Sequence, residues 1–122
     1  MPAPDYLKNS SGYDTNFADS RFYGFGAALT RVTGDVTLDR SYRGGIILFD
    51  SAVGGAITVP ASLPAGFNVS VLQIAAGQAT IVAGAGATLQ CQQGFTRTAG
   101  QWAMVGIVAH DNGSFTLVGN GA

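Results

Sequence analysis

The sequence predicts an all-β fold, a small antiparallel β-sandwich or barrel of jelly-roll type, preceded by an extended, irregular N-terminal arm. Three observations predict it. Apolar and polar residues alternate over short runs, the period of a strand with one face in a core. Clusters of Gly, Pro, Asn and Asp punctuate the chain roughly every ten residues. No stretch of about ten residues keeps a helical period between caps. The 122 residues suit one domain with an arm: residues 1–28 form the arm and 29–122 the sandwich.

The arm is rich in Pro, Asn, Ser, Asp and Gly, yet it holds six of the twelve aromatic residues. A disordered tail is usually poor in aromatics. Rings spaced along an irregular segment suit a strap that lies on a partner, each ring filling a pocket. Tyr6, Tyr13, Phe17, Arg21, Phe22, Tyr23 and Phe25 are the expected partner-binding residues.

From Ala28 the strands follow in order. Leu29-Thr30-Arg31-Val32-Thr33 and Asp35-Val36-Thr37-Leu38-Asp39 alternate on either side of Gly34. Arg43-Gly44-Gly45 turns into Ile46-Ile47-Leu48-Phe49, apolar on both faces and so central in its sheet. Gly54-Gly55 opens Ala56-Ile57-Thr58-Val59, which Pro60 ends. Pro64-Ala65-Gly66 turns into Phe67-Asn68-Val69-Ser70-Val71, a strand that runs on to Ile74. Thr80-Ile81-Val82 and Thr88-Leu89-Gln90 flank the Gly84-Ala85-Gly86 turn. Residues 101–109 give the longest strand. Asn112-Gly113 is a two-residue hairpin signal that returns Ser114-Phe115-Thr116-Leu117-Val118 onto it. Gly77-Gln78-Ala79-Thr80-Ile81-Val82 echoes Gly100-Gln101-Trp102-Ala103-Met104-Val105. One recurrence is too little for a solenoid and fits two equivalent corners of a sandwich.

Charge is distributed unevenly. Asp, Glu, Lys and Arg make up 11% of the chain, and Glu is absent. A soluble domain ordinarily carries about a quarter. Between Ser51 and His110 the one charged side chain is Arg97. So neutral a tract suits a protein that stays assembled. The net charge of -1 gives no field for nucleic acid or an anionic membrane, and no run reaches the length of a membrane span.

Residues able to do chemistry are few. His110 is the single histidine, and its neighbour Asp111 points to the opposite face of a strand. The other carboxylates lie in arm and turn contexts, without the facing pair that glycosidases use. Gly84-Ala85-Gly86 lacks the Lys and the helix of a phosphate loop. The lone Cys91 permits no internal disulfide and reads as a small buried hydrophobe. Trp102, Tyr42, Gln92 and Gln93 are the material for a shallow sugar site, but the phase Trp102-Met104-Gly106 places the indole in the core. The chain is expected to be no enzyme and to hold no cofactor or metal.

Ile57-Thr58-Val59-Pro60, Leu63-Pro64-Ala65-Gly66-Phe67-Asn68-Val69-Ser70-Val71, Gln73, Gly77-Gln78-Ala79-Thr80-Ile81, Ala83-Gly84-Ala85-Gly86-Ala87-Thr88-Leu89 and Ala99-Gly100-Gln101-Trp102-Ala103-Met104-Val105 form an ordered series. It resembles a β module that recurs in tailed-bacteriophage virion proteins, among them tail-fibre and tail-associated chains and small head proteins. The resemblance covers about half the chain, residues 55–119, and implies a structural role in the virion without catalytic residues. A short module behind an arm looks more like a capsid decoration, or cement, protein. Such a protein is expected to bind the outer surface of the head and bridge subunits of the major capsid protein. It would self-associate, as a homotrimer ahead of a dimer. It would reside on the capsid exterior, and in the host cytoplasm during assembly. The alternative is a tail- or fibre-associated component, structural or host-receptor-binding.

Overall fold

The computed structural model describes residues 26–122. The arm residues Tyr6, Tyr13, Phe17, Arg21, Phe22, Tyr23 and Phe25 therefore lie outside the described residues. The described chain is all β apart from one turn of 3-10 helix at Arg40–Tyr42. Its strands are β1 (Leu29–Val32), β2 (Val36–Thr37), β3 (Ile46–Phe49), β4 (Gly55–Val59), β5 (Asn68–Gln73), β6 (Ala79–Ala83), β7 (Thr88–Gln90), β8 (Met104–Asp111) and β9 (Ser114–Gly119).

The expected antiparallel jelly roll gives way to a solenoid-like arrangement. The chain climbs in coils, laying one strand in each of two sheets per coil. β1, β3 and β5 pair parallel in a six-stranded sheet of order β1-β3-β5-β8-β9-β7, while β2, β4 and β6 pair parallel in a three-stranded sheet. Only β5 with β8 and β8 with β9 pair antiparallel; β7 joins β9 in parallel. The physical reason is in the connections. After β3 and β5 the chain turns a corner into the other sheet, so the next strand in sequence is not its neighbour.

Inward-facing side chains stack between coils. Val36, Ile57 and Ile81 are register partners in the small sheet. Ile47, Val71 and Val105 are partners in the large one. With Phe49, Phe67, Ile107, Phe115 and Leu117 they form one core between the sheets, buried except for half-buried Val36 at its margin. The corners stack by backbone hydrogen bonds: Ile74 N donates to Phe49 O at 3.0 Å and Gly77 N to Ser51 O at 2.9 Å. Gly77 permits this close approach, because a Cβ there would lie 2.0 Å from Gly54 N.

The coil stack is sealed at one end. β8 covers the outer edge of β5, and residues 96–98 cover the outer edge of β6, with Ile81 N donating to Thr96 O at 2.8 Å and Thr98 N to Ala79 O at 3.0 Å. A buried polar cluster locks this seal. Thr98 Oγ1 donates to Gln73 Oε1 at 2.6 Å and accepts from Ala79 N at 2.9 Å. Gln73 Nε2 donates to Ala75 O and Ala76 O. Gln73 and Thr98 have no exposed surface, so every bond replaces one lost to water.

The echo noted in the sequence sits at this seal. Gln78 Nε2 donates to Thr98 O at 2.8 Å, and Gln101 Nε2 donates to Ile74 O at 3.2 Å. Each glutamine ties its own turn to the segment carrying the other. The echo thus marks a coil corner and its cap, in place of two corners of a sandwich.

Candidate functional site

Two surfaces stand out, and both involve the β8–β9 hairpin. The first is the outer face of the six-stranded sheet. Alternate residues of its strands face away from the core: Leu29 on β1, Ile46 and Leu48 on β3, Leu72 on β5, Met104 and Val108 on β8, and Val118 on β9. The register brings them into rows. Leu48, Leu72 and Met104 lie side by side, as do Leu29, Ile46, Ser70, Gly106 and Val118.

A sheet with one solvated face normally alternates apolar-in and polar-out. Here the outer phase is apolar too, with Leu29 63%, Val118 50% and Val108 39% exposed. Its ends are polar. Arg31 pairs with Asp50 at one end. At the other, Thr116 Oγ1 and His110 Nδ1 are hydrogen-bonded at 2.8 Å, near Asn68. An apolar centre with a polar rim is the anatomy of a protein contact surface.

The second surface is a shallow groove of about 840 Å³ at the sealed end, lined among others by Gln93, Phe95, Gln101, Trp102, Asn120 and Gly121. Here the expectation for Trp102 is corrected: the indole is 67% exposed and not in the core. The strand begins at Met104, and Gln101–Trp102 form a turn. The phase Met104-Gly106-Val108 faces outward while Val105, Ile107 and Ala109 face the core. Apolar alternation alone could not tell the two faces apart.

The Trp102 backbone is unusual. Its φ of 73° makes it the one non-glycine residue with a left-handed backbone among the described residues. For a bulky side chain that conformation costs about 1 kcal/mol or more. The fold imposes it through hydrogen bonds, Trp102 N donating to Gln73 O at 2.6 Å and Ala103 N to Gly100 O at 3.0 Å. Gln93 lies in the groove with Trp102, as the sequence allowed; Tyr42 and Gln92 do not line it.

The remaining candidates are dispersed. His110 and Asp111 are both exposed and not joined: Asp111 Oδ1 accepts from the Asn112 backbone at 2.8 Å and shapes the hairpin turn. Cys91 is half-buried, so its reading as a buried residue is corrected; it packs at the margin of the core. Gly84-Ala85-Gly86 is the turn from β6 to β7. Tyr42 is half-buried against the core, and Arg97 is exposed, bridging to Thr80. Asp39 caps the Arg40–Tyr42 turn; hydrogen bonds from the Ser41 hydroxyl and backbone N–H hold its carboxyl below the usual aspartate value. No group of three or more His, Cys, Asp or Glu side chains gathers to hold a metal among the described residues.

Compared with known proteins, the chain matches no family model, no curated protein and no solved structure. Its function is therefore argued from these two surfaces and the sequence.

Proposed function

We propose that this chain is a structural assembly module, and specifically a bacteriophage capsid decoration protein that binds the outer surface of the head and bridges subunits of the major capsid protein. The observation that carries the reading is the apolar, polar-rimmed outer face of the six-stranded sheet. Such a face can be covered by a coat surface or by another copy of the chain without stripping water from charges, a step that is costly when they go unpaired. The phage context rests on the resemblance of residues 55–119 to a virion β module, and the aromatic arm adds a second contact.

The magnitude favours repeated attachment. Covering the exposed parts of Leu29, Met104, Val108 and Val118 is worth roughly 2 kcal/mol each at about 25 cal/mol per Å², as an upper bound. That total falls inside the range given for the loss of free motion on association, about 4–15 kcal/mol. One face therefore holds weakly, and firm attachment needs several linked contacts on a lattice. A homotrimer, expected ahead of a dimer, supplies them.

Labelled protein added to purified heads tests this. The expected result is a lattice-wide head signal that drops more than tenfold for the double variant Val108→Lys, Val118→Lys, whose charges sit on the exposed β8–β9 part of the face. A signal confined to a few copies at the tail tip would replace this reading with the tail-associated one. Undiminished binding by the double variant would remove the face from the contact.

A further inference from the structure

We propose that the groove at Trp102 is a binding site for a neutral carbohydrate, with the indole as the platform for a pyranose ring. This goes beyond the assembly role and does not depend on which virion structure carries the chain.

The first argument is the indole itself. Trp102 adopts a left-handed backbone with φ 73° and leaves 67% of its surface in water. The backbone at this turn would be better served by Gly or Asn, which enter that conformation at less cost. The core does not require the ring, because the buried phase of β8 starts after it with Val105. A strained residue whose side chain serves neither backbone nor core points to a role at the surface. A flat, exposed ring with a polar N–H suits the apolar C–H face of a sugar beside its hydroxyls.

The second argument is the company it keeps. Three amide residues line the groove with the ring: Gln93, Gln101 and Asn120. An amide both donates and accepts, matching sugar hydroxyls that do the same. Gln101 spends its Nε2 on Ile74 O, which leaves its Oε1 to accept, and the Gln93 and Asn120 side chains make no hydrogen bond among the described residues. No Asp, Glu, Lys or Arg side chain lines the groove, so no side chain there offers a counter-charge to an ionic ligand.

The third argument is that the floor is built. Phe95 is buried beneath Gly121, where a Cβ would fall 2.0 Å from the ring. At the groove wall a Cβ on Gly119 would fall 2.3 Å from Met104 O. Gly119 and Gly121 thus lie too close to the wall and floor for any larger residue to take their place. At about 840 Å³ its size lies within the range of small-molecule sites, roughly 300–1,000 Å³.

The single tryptophan makes the test direct, because intrinsic fluorescence of the full chain reports this site alone. The probes are neutral oligosaccharides of glucose, galactose and N-acetylglucosamine, with sialylated lactose as the charged comparison. The expected result is the emission of a water-exposed indole, shifting saturably to the blue with at least one neutral series. The same glycans printed on an array should bind wild type and lose Trp102→Gly, a variant suited to the left-handed backbone. Asn120→Ala should bind about tenfold more weakly, a change of about 1.4 kcal/mol. Both variants should retain a cooperative melt. Failure of every neutral glycan on both assays would overturn the site, as would a preference for the sialylated sugar or full binding by folded Trp102→Gly. Emission that starts blue and moves red on dilution would also overturn it, by assigning the indole to contact with a second copy.

Discussion

Thr98→Val tests how the coil stack is sealed. The substitution nearly preserves shape and removes one hydroxyl. That hydroxyl donates to Gln73 Oε1 at 2.6 Å and accepts from Ala79 N at 2.9 Å, in a region with no exposed surface on Gln73, Ala79 or Thr98. The variant leaves a buried carbonyl oxygen and a buried N–H without these partners. Each costs about 1–3 kcal/mol. The backbone bond from Thr98 N to Ala79 O at 3.0 Å persists and keeps the segment in place, so the total belongs in the lower half of the summed range, about 3 kcal/mol. In a domain of this size that lowers the melting temperature by about 12 °C or more. Urea unfolding of wild type and variant, with an unchanged slope, measures the loss. Gln73→Leu removes one of the stranded groups, so the double variant should be less destabilised than the sum of the singles by about 1 kcal/mol. A loss under about 0.5 kcal/mol for Thr98→Val, or strict additivity in the pair, would refute the reasoning.

Gly77→Ala should cost about 3 kcal/mol or more, because its Cβ would meet Gly54 N at 2.0 Å and Ser51 O at 2.4 Å, both backbone atoms that cannot rotate away; chemical denaturation showing a loss below about 1 kcal/mol would contradict the stacked corners. Asp39 gives a pH signature. Its folded carboxyl titrates below the ordinary value of about 3.9, so its contribution is full above that value and is lost as pH falls through the depressed folded value. Ser41→Ala should therefore raise the Asp39 midpoint in an NMR titration, and an unmoved midpoint would show that Ser41 does not set it.

Much of the local structure was legible in the sequence, and the connectivity was not. Ile46–Phe49, Thr88–Gln90 and the Asn112-Gly113 hairpin fall where composition and alternation placed them. A period of two is the same in parallel and antiparallel strands, so it carried no information on pairing. Register partners a coil apart include the identical pairs Leu48–Leu72 and Ile57–Ile81, but others, such as Ile46 and Ser70 or Gly55 and Ala79, differ, and so sparse a match does not expose a repeat. At the groove, Gln93 and Trp102 were named as sugar-binding material, whereas Gln101 and Asn120 were missed. The usable signal was Gly119-Asn120-Gly121 at the end of β9, a pair of glycines flanking an amide.

The seal at one end of the stack gives the molecule a direction of growth. β8 and residues 96–98 occupy the far edges of β5 and β6, while the outer edges of β1 and β2 pair with nothing among the described residues. A further coil added there would lengthen both sheets by one strand, about 4.8 Å. It would widen the outer face and leave the Gln73–Thr98 lock and the Trp102 groove untouched. Size can thus vary at one end of this architecture while the chemistry at the other stays fixed.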